Sequence, residues 1–341
     1  MQFTTNQHTQ SIFKPPVSIR YAHDAQRLKL DPAHTLAMIQ FGAADQEHLP
    51  HTDVHVYLPA LSANTHFEIW ETRDALVEGN IGSVTYRKND DIMFCRIQLD
   101  ESQFNEVADV AEHAYNELVN CTQQLGFTHL IRVWNYFKDL TEIQDNEERY
   151  QSFSAGRYKV YTQLINNFER YLPSASVIGT DSGDMCIYLL ATRKPGIQVE
   201  NPRQVSAFRY PEQYGRTSPS FSRATLKHWQ DMSQLFISGT ASIVGHETQH
   251  EENVLVQLEE TLKNLDSLIQ NVRDTHQYEL NGVNDMSLMK VYIRDPEHYD
   301  IIEKALRQRV SKDIPCIFLK GDICRENLLV EIEGIINIYH D

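Results

Sequence analysis

Residues 221–245 read FSRATLKHWQDMSQLFISGTASIVG. Apolar and β-branched residues alternate with polar ones on either side of Gln230-Asp231, which predicts two strands joined by a short turn. The residues that follow continue the pattern with a change of period. VLVQLEETLKNLDSLIQNV (254–272) sets Val254, Leu258, Leu262, Leu265 and Ile269 three to four residues apart, the stripe of an amphipathic helix. A strand SLMKVYIRD (287–295), a second helix PEHYDIIEKALRQRV (296–310) opened by proline, and strands PCIFLKG (315–321) and NLLVEIEGIINIY (327–339) complete the unit.

The stretch upstream offers the same order. IGSVTYRKNDDIMFCRIQL (81–99) predicts a hairpin turning at Asn89-Asp90, and FNEVADVAEHAYNELVNCTQQLG (104–126) a long helix closed by Gly126. Then come a strand HLIRVWNYFKDL (129–140), a helix ERYQSFSAGRYKVYTQLINNF (148–168), and strands SASVIGT (174–180) and DMCIYLLATR (184–193). Two ββαβαββ units in tandem predict an α+β fold in which each mixed sheet carries helices on one face. Further strand-like pieces, TLAMIQFG (35–42), VHVYLPAL (54–61) and HFEIWET (66–72), are assigned to the first unit. The expected divisions are 1–200, a connecting strap over 201–217, and 218–341.

With 341 residues and a 41% hydrophobic fraction the chain can bury a sizeable core. No run approaches the roughly 18 apolar residues of a membrane span. The start, MQFTTNQHTQSIFKPP, lacks the layout of a signal peptide, so a cytoplasmic protein is expected. Five widely spaced cysteines, none in a C-x-x-C pair, fit free thiols and disfavour a cysteine-based zinc site. A net charge of -16 disfavours a nucleic-acid partner. Against that background Arg203, Arg209, Arg216, Arg223 and Lys227 cluster with a single acid, Glu212, between them. Such a reversal of sign fits either a site for a small anion or a solvated loop whose arginines pair with acids elsewhere.

His246-Glu247-Thr248-Gln249-His250 spells the H-E-x-x-H pattern of zinc proteases. The chemistry needs both histidines on one helical face, whereas Gly245 precedes the motif and the apolar stripe starts only at Val254. A catalytic zinc is therefore not expected, nor any other cofactor.

LFISGT, LVQLEETLKNL, KVYIRD and VEIEGI resemble, in order and spacing, the Rid (YjgF-like) proteins, over about residues 220–341. That resemblance implies two Rid-like domains, and a site where an arginine following a proline holds a carboxylate of an imine. Here Ile314-Pro315-Cys316 and Pro173-Ser174-Ala175 lack that arginine, which weighs against a Rid-type imine deaminase. A more extensive set, HLIRVWNYF, RYQSFSAGRY, SASVIGT, NPRQVSAFRYP, SPSFSRA, LFISGTASIVGH and VEIEG, is similar to the chorismatase family and runs from about residue 80 to the end. The resemblance implies a metal-independent enzyme that cleaves the enolpyruvyl ether of chorismate and releases pyruvate.

Cleaving a vinyl ether requires an acid that is still protonated near neutral pH. Glu331 and Glu333 lie two apart on a strand and share a face; their repulsion, with a drier setting for one, would keep that one protonated. By resemblance Glu331 is the acid. Paired strand glutamates otherwise sit on solvated faces. The resemblance also gives Cys324, seven residues upstream, the meaning of a hydroxybenzoate product, 3-hydroxybenzoate before 4-hydroxybenzoate, over a dihydroxycyclohexadiene carboxylate. Arg157, Arg209, Arg223 and Arg294 are candidates to fork onto the two substrate carboxylates, with Tyr210 and Tyr214 as hydroxyl donors and Gly239 of the SGT segment in the substrate wall. A tandem copy can supply its own neighbour, so a monomer is expected. A small-molecule binder without catalysis is the remaining reading.

Overall fold

The computed structural model describes residues 15–23, 29–43, 53–62 and 67–340. The N-terminal stretch read above for a signal peptide lies outside them, apart from its last two residues.

Two six-stranded sheets are built in the same order. From the parallel edge inward, the first runs Ser174–Thr180, His129–Lys138, Met185–Thr192, Ile92–Leu99, Val84–Lys88, Val77–Ile81. The second runs Cys316–Lys320, Leu288–Ile293, Val330–Tyr339, Met232–Ala241, Ala224–His228, Ile197–Val199. Only the first pair in each is parallel, as required where a helix crosses between the strands. The tandem order of elements holds, and each copy carries one more outer strand than expected.

The four helices fall where the periodicity places them: α1 (Val107–Gln124), α2 (Arg149–Leu164), α3 (Val254–His276) and α4 (Tyr299–Arg309). Asn253 caps α3, its side-chain oxygen accepting from the Val256 N–H at 3.2 Å. Gly126 takes φ +78° just past α1, a backbone shape that costs glycine little. At the first hairpin the Asn89 side chain accepts from the N–H groups of Asp91 and Ile92, both at 3.0 Å, which fixes the turn.

Each strand has an inner and an outer face. In Val330–Tyr339 the even residues Val330, Ile332, Ile336 and Ile338 pack under α3 and α4, while Glu331, Glu333 and Ile335 point the other way. The first sheet likewise turns Val133 and Phe137 to α1 and α2, and Trp134 and Tyr136 inward.

The inner faces do not meet each other alone. Val17–Ala22, Phe67–Thr72, Thr35–Phe41 and Val54–Val56 form a separate four-stranded sheet, rather than extending the first unit's sheet as assigned from the sequence. Its strands are too uniformly apolar to lie on a sheet edge: Leu36, Ala37, Ile39, Phe41 and Trp70 bury themselves in one core with the inner faces of both large sheets. Three sheets thus surround a single core. The chain joins them at seams: Ser174 bridges Ser222 and Gly179 bridges Asp322, Ala60 bridges Leu319, and Arg87 pairs with Asp53 at 2.8 Å.

Candidate active site

At the seam between the two large sheets lies a cavity of about 180 Å³, walled by Tyr150, Tyr210, Tyr214, Phe221, Arg223, Gly239, Cys324, Arg325 and Glu331 among others. Five elements converge on it. Strand alternation turns Glu331 inward. A register shift between Ile237 and Thr240 brings Gly239 opposite it. Arg223 stands just before Ala224–His228, and the first turn of α2 supplies Tyr150, with Glu148 at its cap. The strap adds Tyr210 and Tyr214 from two short 3-10 turns, and the loop before Val330 adds Cys324 and Arg325.

Glu331 is buried, and among the described residues nothing hydrogen-bonds its carboxyl. Burial and, next, the neighbouring Glu333 push its pKa up to about 8, against the pull of Arg132 and Arg223. Glu333 behaves oppositely although it is just as deep. Burial would raise it, but Lys290, Arg132 and the hydrogen bonds of Ser176 and Trp134 outweigh that and hold it down at about 2. Arg132 Nη2 lies 2.8 Å from its carboxylate, Trp134 Nε1 donates at 2.7 Å, and Lys290 Nζ stands at 3.2 Å. Ser176 Oγ donates to Glu333 and accepts the Gly239 N–H at 3.0 Å, tying the cluster to the cavity wall.

The two glutamates are thus pushed apart: Glu331, facing the cavity, has its pKa raised and Glu333, behind it, has its pKa lowered. Burial and then Glu331 push the Cys324 thiol up to about 12, so beside the acid it is a neutral S–H group.

Positive charge enters from two sides. Arg223 Nη2 donates to the Tyr210 hydroxyl at 2.7 Å and to the Val205 carbonyl at 2.9 Å, and its buried Nε has no protein partner. Arg325 lies over the Tyr214 ring at 4.0 Å and is braced by Thr248 Oγ1 at 3.1 Å. Two guanidinium groups in one small cavity, sharing its wall with a carboxyl whose pKa is raised, suit a small dianion that accepts a proton.

Of the residues singled out in the sequence, Glu331, Cys324, Arg223, Tyr210, Tyr214 and Gly239 come together in this cavity. Arg157, Arg209 and Arg294 do not line it. Arg157 is fully buried behind the wall, 5.1 Å from the Phe153 ring and beside the phenols of Tyr115, Tyr150 and Tyr161. Arg209 is exposed on the strap, against Phe208. Arg294 donates to Asp322 and to the carbonyls of Leu328, Ile323 and Arg325, each at 2.9 Å, and so shapes the loop carrying Cys324 and Arg325. The H-E-x-x-H segment forms a two-stranded hairpin, Ile243–Val244 with Glu247–Thr248, where its histidines share no helical face. His246 Nδ1 instead lies 3.3 Å from the Tyr214 hydroxyl, and no three His, Cys, Asp or Glu side chains among the described residues gather as a metal ligand set.

Arg325, Tyr150 and the cluster behind Glu333 escape the sequence reading. A signal existed for the cluster: Lys290 is the one charge inside the apolar run LMKVYI, and a charge there rarely stays buried without a partner.

Residues 68–191 match the family model described as chorismatase FkbO/Hyg5-like, N-terminal. A 3-hydroxybenzoate synthase of Streptomyces hygroscopicus is 31% identical over 292 residues, 83% of this chain and 85% of the relative. A chorismatase of the same organism is 32% identical, covering 84% and 83%. A chorismatase crystal structure superposes with a TM-score of 0.84 at 28% identity, over 94% of this chain and 98% of that one. The chain, an enzyme with a cavity at the seam of two duplicated sheets, belongs to the chorismatase family.

Proposed function

We propose that the enzyme converts chorismate to pyruvate and a hydroxybenzoate, with Glu331 as the general acid. The observation that carries this reading is a buried, unbonded carboxyl, protonated up to about pH 8, in a cavity flanked by Arg223 and Arg325. Those arginines each take one carboxylate of the substrate, with Tyr210 held by Arg223 as a hydroxyl partner. Glu331 delivers its proton to the terminal vinyl carbon, the π pair forming the new C–H bond and leaving an oxocarbenium ion at the ether carbon. Water, or the neighbouring ring hydroxyl, adds at the cationic intermediate. In the water route the attacking water returns a proton to Glu331, and collapse of the adduct breaks the ether bond, releasing pyruvate and a ring diol. Expulsion of the adjacent hydroxyl as water, with loss of a ring proton, leaves oxygen at ring position 3 and aromatises the ring. The sum consumes no water, whereas stopping at the diol consumes one molecule.

Cys324 favours the aromatic outcome as a neutral thiol against the ring: too high in pKa to act as a thiolate, it excludes water and directs the departing hydroxyl. The 31% identity to a 3-hydroxybenzoate synthase supports 3-hydroxybenzoate.

Purified protein incubated with chorismate releases pyruvate on this reading, with one equivalent of 3-hydroxybenzoate by chromatography and mass. Glu331→Gln lowers turnover by about 10² to 10⁴ while retaining substrate binding. Cys324→Ala releases pyruvate but shifts product toward the diol. No pyruvate from the wild type, or full turnover by Glu331→Gln, removes the reading, and an unchanged Cys324→Ala product removes the thiol's role. The inner faces of both large sheets are already covered, so the enzyme acts as a monomer, to be checked by light scattering.

A further inference from the structure

Five ionisable groups sit together beneath the cavity, and four of them cancel. Lys290 Nζ lies between Glu68, at 2.9 Å, and Glu333, at 3.2 Å, and Arg132 holds Glu333 at 2.8 Å. All four are at most 5% exposed, so water neither screens them nor replaces a missing partner. Two carboxylates and two cations make a closed set of zero net charge. Glu68 is fixed from its far side by Trp70 Nε1 at 2.9 Å, and Glu333 by Trp134 and Ser176. No cation of the set has a hydrogen bond or ion pair with the Glu331 carboxyl among the described residues, although Arg132 acts on it from a distance.

We propose that this four-charge set is a positioning device for Glu331: Glu333, fixed as an anion by Lys290 and Arg132, keeps the Glu331 carboxyl in its acid form without touching substrate. The proposal rests on the reading of Glu331 as the acid. The set draws on all three sheets, with Glu68 from the N-terminal sheet, Arg132 from the first large sheet, and Lys290 and Glu333 from the second. A core ion cluster serving stability alone has no need to place an anion two residues from a proton donor.

The other titratable groups facing Glu331 are Arg223 before its strand, Tyr292 opposite it in register, Cys324 and Arg325 from the loop, Tyr150 and Glu148 at the start of α2, and Tyr210 on the strap. Of these, Arg223 opposes the effect of Glu333, and burial raises the Cys324 thiol and the Tyr150 and Tyr292 phenols so that they stay neutral through the working range. Glu333 is therefore the nearby charge that resists ionisation of the acid.

Two substitutions move the enzyme in opposite directions. Glu333→Gln removes the anion and leaves Lys290 and Arg132 facing the site, so the alkaline limb of the rate profile moves to lower pH by about one unit or more. Lys290→Met strips a cation from Glu333 and moves the limb upward. A purely structural cluster lowers melting temperature and rate in both variants and leaves the limb in place, which overturns the proposal. The carboxyl is also titrated directly, by carbon-13 NMR of glutamate-labelled protein with Glu331→Gln for assignment, a readout independent of chorismate turnover. A wild-type Glu331 that titrates in the ordinary carboxylate range overturns the proposal even if neither variant folds. An elevated Glu331 without pyruvate release sinks the proposed function and leaves the device standing.

Discussion

Gly239 and Glu331 face each other so closely that a side chain at residue 239 must displace the glutamate. A β-carbon built at residue 239 lies 1.8 Å from Glu331 Oε1 and 3.1 Å from Ser176 Oγ. What it strikes first is the end of a flexible side chain, which can swing aside at little cost in stability. The group that must swing is the acid itself. Gly239→Ala should thus keep a melting temperature near that of the wild type while losing on the order of tenfold or more in kcat, as a displaced proton donor no longer meets the vinyl carbon. A variant with full kcat and an unchanged product shows that Glu331 does not work from the position it holds here. At this scale the sequence discloses residue types and sparse pairings. It pairs Glu331 with Glu333 through the period of the strand, but it does not disclose that Lys290 and Arg132, remote in the chain, both stand against Glu333 and pull its pKa down.

Among the elements, the loop between Cys316–Lys320 and Val330–Tyr339 has no regular hydrogen-bonded ladder of its own, and Arg294 substitutes for one. Its guanidinium reaches four oxygens along the loop, three of them carbonyls, which explains why an arginine in KVYIR resembles a substrate clamp in sequence. A fork that matches a carboxylate also matches a turn of carbonyls, and sequence cannot separate the two. Arg294→Lys keeps the charge and loses the fork. Amide hydrogen exchange over residues 322–328 should quicken, and kcat/KM should fall by on the order of ten- to a hundredfold as Cys324 and Arg325 lose their setting. Unaltered exchange there would mean that the loop is held by its other contacts. The strap follows the same logic: its arginines read as a basic patch, yet it lines the cavity with Tyr210, Gln213 and Tyr214, and Arg325, from a segment with acids on either side, supplies the second positive charge.

At the level of the molecule, the duplicated order of strands and helices is legible because each copy repeats its own hydrophobic periods, 2 for strands and 3.6 for helices. The third sheet is not. Its strands are short, and apolar runs such as Leu36–Ile39 indicate burial without naming the surface that covers them. Only the fold reveals that they roof the same core as the two copies, and that their one buried acid, Glu68, belongs to the charge set below the cavity. The cavity is invisible in the sequence for a related reason: its walls come from five separated segments, each of which has an ordinary reason to exist.

Three sheets around one core also bear on how such a site can arise. In an assembly of identical subunits, every change made at one junction is made at all of them, so a junction cannot become reactive while its counterparts stay inert. Here the three junctions are written by different stretches of one chain. Two are closed, one by backbone pairing of Ala60 with Leu319 and the other by Arg87 on Asp53. The third is pinned by the bridges Ser174–Ser222 and Gly179–Asp322 and still leaves room for the cavity beside Glu331, and a substitution in that cavity leaves the remaining two junctions unaltered. Covalent linkage of unequal repeats thereby turns a shared architectural joint into a single address for chemistry.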